Sequence, residues 1–198
     1  MKKSHLLFLF VGIITLSLAQ VSCMNNRQTS DEGELEPQMT REDTIKRGEY
    51  LVTIIGCNDC HSPKKMGERG PEVIPGQIMS GYQANTPLPK FDKQMIENGI
   101  IQGNMDMTAF AGPWGVSFAA NLTPDQTGLG AWSEKQFKVA MRQGKFKGLE
   151  GSRMLLPPMP WYNFTALTDD DLRAIFEYLK TLEPVNNVVP PPVPPEEL

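Results

Sequence analysis

Two cysteines and a histidine form the clearest chemical motif of the chain. Cys57 and Cys60 are separated by two residues, and His61 follows directly. In a Cys-x-x-Cys-His sequence each thiol can bond to a haem vinyl group, while the histidine binds the iron from one side. The spacing therefore predicts one covalently attached haem c, with His61 as an iron ligand.

Three other uses of this cysteine pair are the alternatives. A thioredoxin-like redox pair needs a βαβ unit around it, whereas this pair follows a helical pattern. A structural zinc site needs four ligands. Cys57, Cys60 and His61 are three, and the body of the chain has no further cysteine to complete the set. A short disulfide between Cys57 and Cys60 is the simplest alternative.

The first residues have the pattern of a secretion signal. Two lysines precede an apolar run over residues 6–19, which is too short to span a bilayer comfortably. The sequence ending at Cys23 resembles the lipobox of bacterial lipoproteins, although Gln20 replaces the usual aliphatic residue. We expect a lipoprotein-type signal peptide over residues 1–22 and lipidation of Cys23. Ordinary cleavage after Ala19 is the alternative.

Composition limits the domain organisation and the partners. Residues 23–39 contain no aromatic side chain and are rich in polar ones, which predicts a flexible tether. Residues 40–185 suffice for one domain with a hydrophobic core, and residues 186–198 form a Pro-rich tail that we expect outside this core. The net charge of −4 and the lack of a basic tract argue against nucleic acid as a partner.

Hydrophobic spacing and capping residues predict a mostly α domain with long Gly- and Pro-rich loops. Thr40, Ser133 and Thr168 are the expected helix N-caps. No run alternates long enough between apolar and polar residues to predict a sheet. The helices are expected over residues 40–56, 92–99, 133–144 and 168–183.

The order of these features is similar to that of class I cytochrome c. A helix leading into the cysteine motif, a Met-Pro loop at Met159 and a final helix reading Leu-Arg-Ala-Ile-Phe-Glu-Tyr-Leu-Lys carry the resemblance. Ala-Asn-Leu-Thr-Pro-Asp-Gln-Thr-Gly-Leu-Gly-Ala-Trp-Ser and Pro-Pro-Met-Pro-Trp are similar to sequences in the single-haem cytochrome modules of bacterial periplasmic alcohol, gluconate and fructose dehydrogenases. The resemblance covers residues 41–185 and implies a cytochrome c-like single domain with helices around one haem.

Met159 is the expected sixth ligand of the iron. The chain has two histidines, and His5 lies in the predicted leader, so a methionine is the natural partner of His61. Met159 lies between Pro158 and Pro160, at the place of the Met-Pro sequence in the resembling modules. Ligation by Met154, or a packing role for Met159, is the alternative.

The resemblance also implies residues around the haem. Pro71 would accept a hydrogen bond from Nδ1 of His61 through its carbonyl. Trp132 and Asn121 would donate hydrogen bonds to haem propionates, which need such partners when buried. A core aromatic role is the alternative for Trp132.

Two expectations concern the scaffold. The first and last helices are expected to cross at Gly48, Ile175 and Tyr178. The long segment 64–118 is expected to wrap over one haem edge, with Trp114, Phe110 and Phe118 as its anchor. If exposed these aromatic residues would mark a docking face, and if buried they would act as a staple.

These features predict a periplasmic monohaem cytochrome, tethered to a membrane by lipid, that carries single electrons and is not itself an enzyme. The expected partners are redox proteins: a periplasmic or membrane dehydrogenase, an oxidase or another cytochrome. A haem enzyme or gas sensor with an open sixth position is the alternative. A third interpretation is the haem subunit of a dehydrogenase complex.

Overall fold

The computed structural model describes residues 39–198. The signal peptide expected over residues 1–22 and the lipidation of Cys23 lie outside these residues, as does the tether except for Met39. Among the described residues, no helix combines the length and the apolar character needed to cross a membrane.

Helix α1, Arg41–Ile55, confirms the first predicted helix. Thr40 caps its start by accepting a hydrogen bond from the amide of Asp43 at 3.1 Å. Gly56 ends it with a φ of 77°, a left-handed conformation that glycine adopts without steric cost. The short helix α2, Cys57–His61, follows at once, so α1 fixes the place of the cysteine motif.

The prediction of a mostly α domain is wrong. Helix accounts for about 36% of the described residues and strand for 13%, and two small antiparallel sheets are present. Within residues 39–198 no strand is longer than four residues, which is too short for a visible alternation of apolar and polar side chains. The strands are β1 Lys64–Gly67, β2 Gly70–Val73, β3 Gln102–Gly103, β4 Ala109–Gly112 and β5 Gly115–Phe118.

Both sheets lie in the segment 64–118. Strands β1 and β2 form a hairpin in which Lys64 is opposite Val73. The second sheet has the order β3-β4-β5. The short helix α3, Lys93–Glu97, confirms the predicted turn near residue 92 and contributes Ile96 to a small hydrophobic cluster with Ala111 and Val116.

The three expected anchor residues of this segment, Phe110, Trp114 and Phe118, are half-buried. The ring of Phe118 packs against Tyr82 with centroids 4.7 Å apart. Trp114 donates a hydrogen bond from Nε1 to the hydroxyl of Ser117 at 3.2 Å. These internal contacts favour the staple over a docking face.

Helices α4, Glu134–Gln143, and α5, Asp169–Leu179, confirm the remaining predicted helices. Ser133 and Gln136 form a reciprocal capping box at the start of α4. Thr168 accepts a hydrogen bond from the amide of Asp171 at 3.1 Å at the start of α5. Apolar residues from α1, α4 and α5 supply most of the main core: Leu51, Val52, Phe137, Met141, Leu172, Ile175, Phe176 and Leu179.

The Pro-rich segment 186–198 differs from its expected place outside the core. Asn187 is buried, and its side-chain nitrogen donates to two backbone carbonyls at 2.7 and 2.9 Å. Val193 pairs with Val116 at the free edge of β5. Extended proline-rich backbone can follow the edge of a sheet, and these two residues supply the hydrogen-bonding groups that the prolines lack.

Candidate cofactor site

Helix α2 presents the two cysteines and His61 within little more than one turn. Cys57 and Cys60 are half-buried free thiols. Residues three apart lie on the same side of a helix, so both sulfur atoms are presented to one region. Cys57 packs against the main core, which orients this region toward apolar side chains.

Both cysteines are held in the thiol form. Burial raises the pKa of Cys57 to about 11. Burial also raises the pKa of Cys60, and the nearby charge of Asp59 acts in the same direction. A redox or metal-binding cysteine works as the thiolate, and sites of that kind lower the thiol pKa. The environment therefore disfavours the thioredoxin-like alternative. Among the described residues, no three His, Cys, Asp or Glu side chains are grouped to hold a metal ion.

A backbone carbonyl orients the ring of His61. Nδ1 lies 2.8 Å from the carbonyl oxygen of Ala120. Because a carbonyl can only accept a hydrogen bond, Nδ1 carries the proton and Nε2 keeps its lone pair in the neutral ring. Burial lowers the pKa of His61 and favours this neutral ring, although the hydrogen bond to Ala120 acts in the opposite direction. Nε2 is therefore available to bind iron.

The structure gives this role to Ala120 and not to Pro71, which corrects the expectation. Pro71 is exposed on β2, opposite Met66 of β1. The hairpin that follows the cysteine motif uses this backbone for strand pairing, so the acceptor comes from a later loop. Sequence reasoning missed Ala120, because a backbone carbonyl requires no particular residue type.

Gly81 lies directly against the Ala120 carbonyl, where there is no room for a side chain. A Cβ atom at position 81 would lie 2.7 Å from the Ala120 oxygen and 2.5 Å from the carbonyl oxygen of Ala119. The Gly81 amide also donates to the carbonyl oxygen of His61 at 2.8 Å. One glycine thus contacts both the backbone of the histidine and the group that orients its ring. In the sequence Gly81 is only a glycine in a predicted loop, so nothing there indicated this contact with His61 and Ala120.

Met159 shares its surroundings with the cysteine motif. Its partly buried side chain packs against the same core as Cys57. The side chain of Met154 is 39% exposed, and Met154 pairs with Lys145 in an isolated bridge. Met159 and Cys57 therefore pack against one core, whereas Met154 lies at the surface. Iron ligation by Met159 stays a prediction.

The two expected propionate donors have different surroundings. Trp132 is half-buried against the main core, which is compatible with both of its expected roles. Asn121 is buried, and its Nδ2 donates to Thr127 and to the carbonyl of Val185 at 3.1 and 2.8 Å. Its Oδ1 accepts from the amide of Thr123 at 2.9 Å. Because these contacts use the amide group, the structure gives Asn121 a structural role in place of the expected one.

This set of residues fits a covalently bound haem. Two free thiols lie on one side of a short helix, and the adjacent imidazole has an oriented ring with Nε2 available. A methionine thioether belongs to the same core. Half-buried apolar side chains complete the surroundings: Ile55, Ile78, Leu122, Leu167 and Leu182.

The comparisons with known proteins point in the same direction. No protein family model matches the chain. The chain is 30% identical to the gluconate 2-dehydrogenase cytochrome c subunit of Pantoea cypripedii over 135 residues, which are 68% of this chain and 22% of the relative. It is 26% identical to the fructose dehydrogenase cytochrome subunit of Gluconobacter japonicus over 155 residues, which are 77% and 24% of the two chains. It is 27% identical to the cytochrome c subunit of the quinone-dependent alcohol dehydrogenase of Gluconobacter oxydans over 148 residues, which are 74% and 23% of the two chains.

These matches span less than a quarter of the length of each relative. The three cytochrome subunits support a cytochrome c module and imply haem c as its cofactor. They also support an electron-transfer haem protein and are consistent with an electron-transfer subunit, not the catalytic one.

Proposed function

We propose that residues 40–185 form a monohaem c-type cytochrome module that carries single electrons, with iron bound by His61 and Met159. The main support is the contact of 2.8 Å between Nδ1 of His61 and the Ala120 carbonyl, because it leaves Nε2 as the free ring nitrogen. A bound haem would supply an iron that alternates between the ferrous and ferric states.

The protein's own residues hold and shield this cofactor. Cys57 and Cys60 would anchor it through two thioether bonds, so it cannot dissociate between electron transfers. The carbonyl of Ala120 limits rotation of the His61 ring. The apolar core excludes water from this region, and a methionine ligand favours a potential suited to an electron carrier.

We further infer a periplasmic location, a lipid anchor on Cys23 and a redox enzyme as partner. The relatives that are named as cytochrome subunits of gluconate 2-dehydrogenase and fructose dehydrogenase support a dehydrogenase as this enzyme. The variant Cys23→Ser should lose the membrane association that the wild type shows. A flavin or quinone protein should copurify with the wild type. A Cys23→Ser protein that fractionates with membranes like the wild type would contradict the anchor.

Mass spectrometry tests the cofactor. The wild type should carry one haem that resists extraction with acidified acetone, and the double variant Cys57→Ala, Cys60→Ala should lose this covalent attachment. A wild-type chain with the mass of the polypeptide alone would refute the proposal.

Near-infrared absorption of the ferric protein tests the sixth ligand. The weak sulfur-to-iron band should be lost in Met159→Leu and retained in Met154→Leu, which makes the same chemical change at the surface. Rapid carbon monoxide binding by the unaltered ferrous protein would instead support the enzyme or sensor with an open sixth position.

A further inference from the structure

The ammonium group of Lys64 lies among four backbone carbonyl oxygens. Three of them belong to helix α2 and to Ser62, the residue that follows it. Nζ donates to the carbonyl oxygens of Asn58 at 3.1 Å, Asp59 at 2.7 Å and Ser62 at 2.9 Å. The fourth oxygen belongs to Asp106, in the turn between β3 and β4, at 3.2 Å. Lys64 thus connects helix α2 with a distant part of the segment 64–118.

These carbonyls need the lysine. The last carbonyls of a helix have no partner within the helix, and α2 has only five residues. Backbone amides serve two other carbonyls of this stretch: the His61 carbonyl accepts from Gly81, and the Pro63 carbonyl accepts from Ile74 at 3.0 Å. Lys64 serves three carbonyls of the stretch that these amides do not reach.

The ammonium group of Lys64 makes its contacts with carbonyl oxygens and not with carboxylates. Within the part of the chain that the structure describes, Lys64 forms no ion pair. The carboxylate of Asp106 is directed to Thr108, accepting from its hydroxyl at 2.7 Å. A positive charge partly shielded from water acts over a longer range than one at the surface.

We propose that Lys64 is a positioning residue of the haem site, which joins the cysteine motif to the 104–108 turn and adds a positive charge that favours ferrous iron. This inference rests on the proposed haem function. It gives the segment 64–118 a specific task, because the turn at Asp106 completes the set of carbonyls around the ammonium group. The sign follows from Coulomb's law: ferrous iron carries one positive charge less than ferric iron and is repelled less by a nearby cation.

The variants Lys64→Met and Lys65→Met test the proposal in the full holoprotein. Lys65 is exposed, and adjacent residues of a strand point to opposite faces, so its replacement removes the same charge without the four contacts. In Lys64→Met, amide hydrogen exchange should quicken about tenfold in residues 57–62 and in residues 104–108 together, as for the loss of about one hydrogen bond. The reduction potential should fall below those of the wild type and of Lys65→Met.

A third variant separates position from charge. Lys64→Arg keeps the charge, but its planar guanidinium cannot reproduce the contacts of a compact ammonium. It should quicken exchange in both segments while its potential stays closer to the wild-type value than that of Lys64→Met.

Each part of the proposal has a result that would overturn it. Exchange in Lys64→Met equal to that in Lys65→Met would refute the positioning role, and equal potentials in these two variants would refute the effect of charge. Haem content measured on the same samples distinguishes these results from failure of the proposed function. If the wild type carried no haem, the proposed function would be refuted, whereas the exchange comparison would still decide whether Lys64 joins the two segments.

Discussion

Gly48 on α1 and Ala174 on α5 approach so closely that a Cβ atom at position 48 would lie 2.0 Å from the Ala174 carbonyl oxygen. The same atom would lie 2.7 Å from Cβ of Tyr178. The first and last helices therefore cross with their backbones in contact, which confirms the crossing predicted at Gly48.

Replacement of Gly48 by alanine should destabilise the protein. The added methyl group would meet backbone atoms of α5, which cannot turn away as a side chain can. We expect the free energy of unfolding to fall by about 1–3 kcal/mol, as for overpacked cores. Denaturant unfolding of Gly48→Ala and Gly151→Ala measures this, because a Cβ atom at Gly151 would meet nothing within 4 Å. Equal losses in both variants would contradict the steric argument.

Replacement of Gly81 should disturb the histidine. Gly81 and Gly76 have the same φ of 74°, so alanine costs similar backbone strain at both positions. Only at Gly81 would the new Cβ contact the Ala119 and Ala120 carbonyls. Gly81→Ala should therefore alter the visible spectrum and the reduction potential of the holoprotein, whereas Gly76→Ala should lose stability alone. Identical spectra in the two variants would show that Gly81 has no effect on the orientation of the His61 ring.

The buried amide of Asn187 should contribute more to stability than its exposed neighbour. Asn187→Ala leaves two buried carbonyls without their donor and the amide of Ala84 without its acceptor. Unsatisfied buried groups cost about 1–3 kcal/mol. Asn186→Ala removes only a contact of 3.4 Å with Asp125 and is the matched control. Thermal unfolding compares the two variants, and similar midpoints would show that the Pro-rich segment adds little.

Asp169 should make stability depend on pH in the acid range. Its hydrogen bond with Arg142, followed by that with Lys138, lowers the pKa of Asp169 in the folded protein. A lowered folded-state pKa favours the ionised form, so the contribution is complete above the unfolded pKa of about 3.9 and is lost as the pH falls through the folded value. Wild type should therefore be more stable than Asp169→Asn at neutral pH, with a difference that shrinks in acid.

Asp170→Asn is the control for this comparison. Asp170 also lies in the first turn of α5, but its ion pair with Arg173 is within the helix. Both variants lose a favourable charge near the helix N-terminus, so only the difference between them reports the contacts of Asp169 with α4. A difference that grows as the pH falls would have the opposite sign to the prediction.

The helices could be predicted because their limits are set by local chemistry. Thr40, Ser133 and Thr168 cap helices through contacts with residues three positions later, and Gly56 and Gly144 end helices in left-handed conformations. These interactions are complete within a few residues, so the sequence contains them. The cysteine motif is local in the same sense.

The remaining features depend on contacts between distant segments. Strand β3 has two residues and exists only through its pairing with β4. Ala120 contacts His61 through its backbone, so its residue type carries no signal. Asn121 has an amide group that could donate a hydrogen bond to a haem propionate. In the structure this group donates to the carbonyls of Val185 and Asn187.

The pairing of Val193 with Val116 closes the outer margin of a sheet against other chains. Unpaired strand edges invite association with strands of other molecules, which leads to aggregation. Residues 190–195 contain five prolines, so the amide of Val193 is the single donor in this stretch, and it is already bound to the Val116 carbonyl at 3.0 Å. A foreign strand would find no free N–H group there with which to extend the β-structure.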